Sequence, residues 1–138
     1  MPQLFNRAVI TNKGAALLTK AQAGQCRISF TRLVTGNGVY NADEQTLESL
    51  QLRENLKSEK DSFSFSSIEV FSEHSIKLKA LITNADPITH EIKISEGYFI
   101  NEMGICAKEA DGDDSTEVIY CIVTTAGTIM TLRFKTKF

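Results

Sequence analysis

Tryptophan is absent from the 138 residues, and histidine occurs only at positions 74 and 90. A carbohydrate-binding adhesin usually stacks sugars on exposed aromatic rings. Without tryptophan, and with phenylalanines falling largely on alternating strand positions, that class stands only as an alternative. His74 and His90 have no second histidine at one-turn spacing, so no helical metal pair is present, and each reads as a strand-edge or turn residue. There is no Gly-x-Ser-x-Gly elbow, and neither Cys106 nor Cys121 has a recognisable histidine partner in sequence context. The three cysteines, Cys26, Cys106 and Cys121, are odd in number and far apart, which fits neither a disulfide framework nor a zinc site. Each is expected to behave as a small buried apolar residue.

Long apolar runs are missing too. No window approaches the roughly twenty residues that a membrane helix needs. The segment Met1-Pro2-Gln3-Leu4-Phe5-Asn6-Arg7 has neither a basic leader nor an apolar stretch after it, which predicts synthesis in a reducing cytoplasm. The net charge of -2, from 15 basic and 17 acidic residues scattered along the chain, gives no basic face for phosphate contacts. Nucleic acid is thereby disfavoured as a partner.

What is there is an ordinary globular composition, 42% hydrophobic and 23% charged. A chain of this length can remove roughly two-thirds of its unfolded surface from water. No Gly/Ser-rich linker, charge block or repeat divides it, so residues 1–138 read as one domain. Spacing of Gly14, Leu17, Leu18 and Ala21 predicts an amphipathic helix from Asn12 to Ala23, capped by Thr11 or Asn12 and closed by Gly24. Asp43 is placed to cap a second short helix through about Leu50. Strands are expected at Cys26–Thr35, Ser62–Phe71 with a bulge near Ser66-Ser67, Ile76–Ile82, His90–Ile94, Tyr98–Lys108, Glu117–Thr124 and Thr128–Phe138. The fold class is therefore α+β, mostly antiparallel, with two packed sheets and the helix covering one side. Leu17, Leu18, Ile28, Phe30, Ile76, Leu78, Ala80, Ile82, Met103, Ile105, Ile122 and Leu132 are the expected core.

Candidate chemistry is sparse. Asp111, Asp113, Asp114 and Glu117 form an acidic turn that could hold a hard cation and thus serve a small metal-dependent enzyme. The spacing is wrong for a helix-flanked calcium loop, since Ile122 stands at the twelfth position, and a solvated hairpin turn is the stronger reading. Gly36-Asn37-Gly38 reads as a turn in which glycine permits positive φ, not as a phosphate loop, because no Lys-Ser/Thr follows. Glu102 is a single carboxylate in an apolar strand whose Met103, Ile105 and Ala107 fall on one face. Alone it makes no acid/base pair, and it reads as a carboxylate accepting backbone hydrogen bonds or facing solvent.

Four blocks, in order, resemble the amino-terminal domain of phage tail-fibre and tail-collar fibre proteins. They are Ala8-Val9-Ile10-Thr11-Asn12-Lys13-Gly14 with the helix after it, Ile28-Ser29-Phe30-Thr31-Arg32 running to Gly36-Asn37-Gly38, Tyr98 through Ala107, and Val118-Ile119-Tyr120 to Ala126-Gly127. The motif positions within them are Gly14, Gly36, Gly38, Glu102, Gly104 and Ala107. The resemblance implies a structural, non-enzymatic module with no cofactor, which ties a fibre to the baseplate of a virion tail and is a homotrimer in full-length fibres. Members often carry Asp where Asn37 sits, and the segment Thr128–Phe138 departs from the family's continuation. That last segment reads first as a strand that completes the core sheet, and as an alternative it is the candidate interface with baseplate or tail proteins, through Met130, Leu132, Phe134 and Phe138 on one strand face.

Overall fold

A computed structural model describes residues 6–72, 75–80 and 98–125. In chain order these form strand β1 (Val9–Ile10), helix α1 (Asn12–Gln22), strand β2 (Ile28–Gly36), a 3-10 turn at Ala42–Glu44 and helix α2 (Leu47–Gln51). Strands β3 (Glu59–Ser72), β4 (Ser75–Ala80) and β5 (Glu102–Glu109), a second 3-10 turn at Asp114–Thr116, and strand β6 (Val118–Thr124) follow. The described strands build one six-stranded sheet, ordered β1-β6-β5-β2-β3-β4, in which every neighbouring pair is antiparallel. Among the described residues there is thus one sheet rather than two. The strands expected at His90–Ile94 and Thr128–Phe138, with Ile82 and Leu132, lie outside the described residues.

Thr11 starts α1 by accepting a hydrogen bond from the Gly14 amide, and Gly24 ends it at φ 77, the left-handed conformation that glycine adopts without strain. The second helix is shorter and later than its sequence suggests: Thr46, not Asp43, caps α2, and residues 42–44 form a separate 3-10 turn. Asn41 and Glu44 close that turn as a reciprocal capping box, which competes with a continuous helix from Asp43.

The core sits on one face of the sheet. Val34, Cys106, Ile119 and Ile122 project from it, and Tyr40, Leu50 and Leu56, from the connection between β2 and β3, close over them. Cross-strand partners share a face, so the pairs Val34 with Gly104 and Gly104 with Ile122 fix the buried side of β5 as the one carrying Glu102, Gly104 and Cys106. This reverses the expected phase of the strand, since Met103 and Ile105 point to the other face and are only half-buried. A register shift between Ile105 and Cys106 then lets Ala107, next in sequence, be buried as well.

Strand β3 serves two neighbours in turn. Its first part, Glu59–Ser64, pairs with β2, and its second, Phe65–Ser72, pairs with β4. Among the described residues, the second half and β4 therefore make a two-stranded arm. Ile76, expected in the core, is 53% exposed because it lies on that arm.

Candidate functional site: a buried carboxylate clasp

Alternation along β5 turns Glu102 inward, and its side chain is completely buried. A buried carboxylate is tolerated only when its lone pairs are met by donors. Here Oε2 accepts the amides of Gly38 at 2.8 Å and Ser58 at 2.7 Å. Oε1 accepts the Lys57 amide at 2.7 Å and the Tyr40 hydroxyl at 2.5 Å. Three backbone N–H groups and one phenol thus surround the anion with charge-assisted hydrogen bonds. They tie the exit of β2, the entry to β3 and the start of β5 to one side chain.

Cations stand one layer further out. The Arg53 guanidinium and Lys57 ammonium lie 5.2 Å and 5.5 Å from the centre of the Tyr40 ring. Lys57 Nζ also pairs with Glu44 at 2.6 Å. Burial and the bond to Glu102 push the Tyr40 hydroxyl well above its ordinary pKa, so it remains a proton donor to the carboxylate through the physiological range.

The clasp explains both glycines of the turn, for a reason other than the one read from sequence. Neither has positive φ; among the described glycines only Gly24 does. A Cβ on Gly36 would be driven into the Ser58 carbonyl oxygen and would sit 2.6 Å from Glu102 Oε2, and one on Gly38 would sit 2.5 Å from Glu102 Oε2 and 2.6 Å from Lys57 Cβ. Glycine is needed for close approach, at position 36 to the Ser58 backbone first and at position 38 to the carboxylate first. The turn is closed by Asn37 N donating to Ser58 O at 3.1 Å, and by Asn101 donating from its backbone to Gly36 O and from its side chain to Asn37 O. Gly104 lies two residues along the same face, where a Cβ would meet Val34 Cγ2 at 3.0 Å.

Four of the six motif positions, Gly36, Gly38, Glu102 and Gly104, therefore lie together, and the other two do not. Ala107 is buried between Phe30 and Val118 in the sheet register, and Gly14 lies on the α1–β6 contact. Sequence reading missed Tyr40, Lys57 and Ser58. Three of the four donors are backbone amides, which carry no residue signature; the acid inside an apolar strand was the single visible sign.

The acidic turn is distributed over separate partners. Asp113 caps the 3-10 turn through the Ser115 amide and hydroxyl, which hold its carboxyl below the usual range. Asp111 faces Arg27 and Asp114 faces Lys108, each at 3.4 Å. Glu117 accepts from Thr31 at 2.6 Å and from Arg32 at 2.9 Å; partial burial opposes these bonds, yet its carboxyl is held below the usual range. Among the described residues, no three His, Cys, Asp or Glu side chains converge as a metal-binding group. The candidate interface residues Met130, Leu132, Phe134 and Phe138 lie outside the described residues.

The cysteines divide by environment. Cys106 and Cys121 are buried, and burial pushes each thiol up to about 11. Cys26 is half-buried, so the expectation of three equivalent buried thiols is corrected at that position. Thiolate is the reactive form. Native protein at pH 8 is therefore expected to give one thiol to a chromogenic disulfide reagent, and all three after guanidinium unfolding. Cys26→Ser should abolish the native reaction; labelling that persists in that variant would contradict the assignment. Because the folded values are raised above the reference 9.0, the stability these two groups contribute is complete below pH 9 and is lost as pH rises towards 11.

No family model, curated protein or solved structure matches this chain.

Proposed function

We propose that the chain is a structural, non-catalytic module of a phage or prophage tail, tying a fibre to the baseplate. Its partners are baseplate or tail proteins, and in a full-length fibre it is one of three copies. The observation that carries this reading is the use made of the motif residues. Glu102 from one block of the resemblance and Gly36 and Gly38 from another meet in one joint. Every lone pair of that carboxylate is engaged and its side chain has no exposure, an arrangement suited to holding loops on a sheet and not to moving protons. An attachment module transmits force between assemblies, and a joint spanning three chain segments resists separation of the covering loop from the sheet.

The test is particle composition. Tail-bearing particles from a host that carries the gene are banded on a density gradient and their proteins quantified by mass spectrometry. The chain is expected to band with tail proteins at fixed stoichiometry; abundance in the cell with absence from the particles would overturn the reading. Calcium and magnesium titrations followed by thermal melting address the metal-dependent alternative, because a ligand that binds only the native state raises the melting point. No saturable shift is expected. A shift abolished by Asp113→Ala would instead support the acidic turn as a site.

A further inference from the structure

Asn37-Gly38 is the one Asn-Gly pair in the chain, and the clasp is built across it. An asparagine followed by glycine is open to attack by its own backbone. With no side chain beside it, the glycine nitrogen can approach the asparagine Cγ closely. Once that nitrogen has given its proton to hydroxide it forms a bond to Cγ, and the side-chain nitrogen leaves as ammonia. A succinimide ring closes, and water opens it at either carbonyl to give aspartate or isoaspartate.

The clasp sets two obstacles in the way. The N–H of Gly38, itself a buried residue, donates to Glu102 Oε2 at 2.8 Å. Removing that proton would break a charge-assisted hydrogen bond and set a second negative charge against a buried carboxylate. Rotation of the chain is opposed as well. Asn37 donates from its backbone to Ser58 O at 3.1 Å and accepts at its carbonyl from the Asn101 side chain at 3.2 Å, so the peptide groups on both sides of its Cα are held. Asn37 is only half-buried, which leaves the pair within reach of water and hydroxide once the loop lifts.

We propose that Asn37-Gly38 is a spontaneous deamidation site that the Glu102 clasp keeps latent. Conversion waits for the clasp to open, and isoaspartate makes it one-way. That product carries the main chain through its side-chain carbons, which adds a methylene to the turn and displaces the Gly38 amide from Oε2. It also brings a new carboxylate to a place where the available donors are already taken by Glu102. A chain whose covering loop has lifted is thereby marked covalently, and its loop does not reseat. The mark is independent of what the module attaches to.

Peptide mapping by mass spectrometry after incubation in mildly alkaline buffer, continued until the wild type has converted measurably, is the test. The folded chain should convert at least about tenfold more slowly than the chain unfolded in urea, the factor that one hydrogen bond to a charged acceptor supplies. Both aspartate and isoaspartate are expected at position 37. Glu102→Ala, checked for folding by circular dichroism, should convert at least about tenfold faster than wild type. Gly14→Ala, whose new methyl strikes β6 and leaves the clasp intact, should match the wild type. Should Glu102→Ala not fold, Tyr40→Phe replaces it, with an acceleration of about five- to thirtyfold from the loss of one clasp bond. Folded wild type that converts as fast as the unfolded chain overturns the proposal, as does a clasp variant no faster than wild type. Equal acceleration in Gly14→Ala and the clasp variant would also overturn it, by making the whole fold the guard, and aspartate without isoaspartate would overturn the succinimide route.

Discussion

Glu102→Ala is expected to cost about 3 kcal/mol or more of folding stability, the range seen when a buried charged group is removed from its partners. The alanine leaves the amides of Gly38, Lys57 and Ser58 and the hydroxyl of Tyr40 without their acceptor. Each orphaned buried donor carries a penalty of roughly 1–3 kcal/mol, reduced where water enters the vacated space. The melting point should fall by about 10 °C or more for a chain of this size. Glu102→Gln separates shape from charge, since its amide nitrogen presents hydrogens to donors where an oxygen stood. It should be nearly as damaging as alanine. Tyr40→Phe removes one donor and keeps the carboxylate satisfied by three amides, so about 1–2 kcal/mol is expected. Urea unfolding of the three variants, followed by circular dichroism, measures the order. Glu102→Ala within 1 kcal/mol of wild type would show that the clasp does not hold the loop to the sheet.

The same carboxylate marks where the sequence could be read and where it could not. Alternation placed β5 and revealed that its residues take two faces, but hydrophobicity alone made the Met103/Ile105 side the natural core. The structure buries the Glu102/Gly104/Cys106 side instead. What decides between the faces is the covering layer. Leu50 comes from the five-residue helix α2 and Tyr40 and Leu56 from irregular chain on either side of it, and segments this short give no signal of which sheet face they cover. Ile76 is the complementary case. The alternation of β4 is clean, yet a period of two says only that a strand has two faces, not that either is packed. The turn glycines meet a different demand from the positive φ read in the sequence, because a left-handed backbone and close approach of a neighbouring carbonyl or carboxylate select the same residue.

Gly14→Ala, the second large effect, is expected to run against helix propensity. Gly14 lies in the first turn of α1, where replacing glycine by alanine normally stabilises by roughly 1 kcal/mol. In this chain a Cβ at position 14 would be driven into the Tyr120 carbonyl oxygen and would stand 2.9 Å from the Tyr120 Cα. Both are backbone atoms of β6, so no rotamer change relieves the overlap. Nor is α1 free to withdraw. Thr11 N donates to Tyr120 O at 3.0 Å, and the Thr11 hydroxyl donates to Ile119 O at 2.5 Å while accepting the Gly14 amide at 3.0 Å. Moving the helix away breaks bonds made by a threonine that is completely buried. Overpacking of roughly 1–3 kcal/mol and the lost Thr11 contacts outweigh the propensity gain, leaving a net destabilisation of about 2 kcal/mol. An isolated peptide of residues 9–25 should respond in the opposite sense, becoming more helical with alanine, because β6 is absent. Ala16→Gly, on the exposed side of α1, should cost the intact chain about 1 kcal/mol, as propensity alone requires. A Gly14→Ala chain that melts at or above the wild-type temperature would show that α1 is not held against β6 at this point.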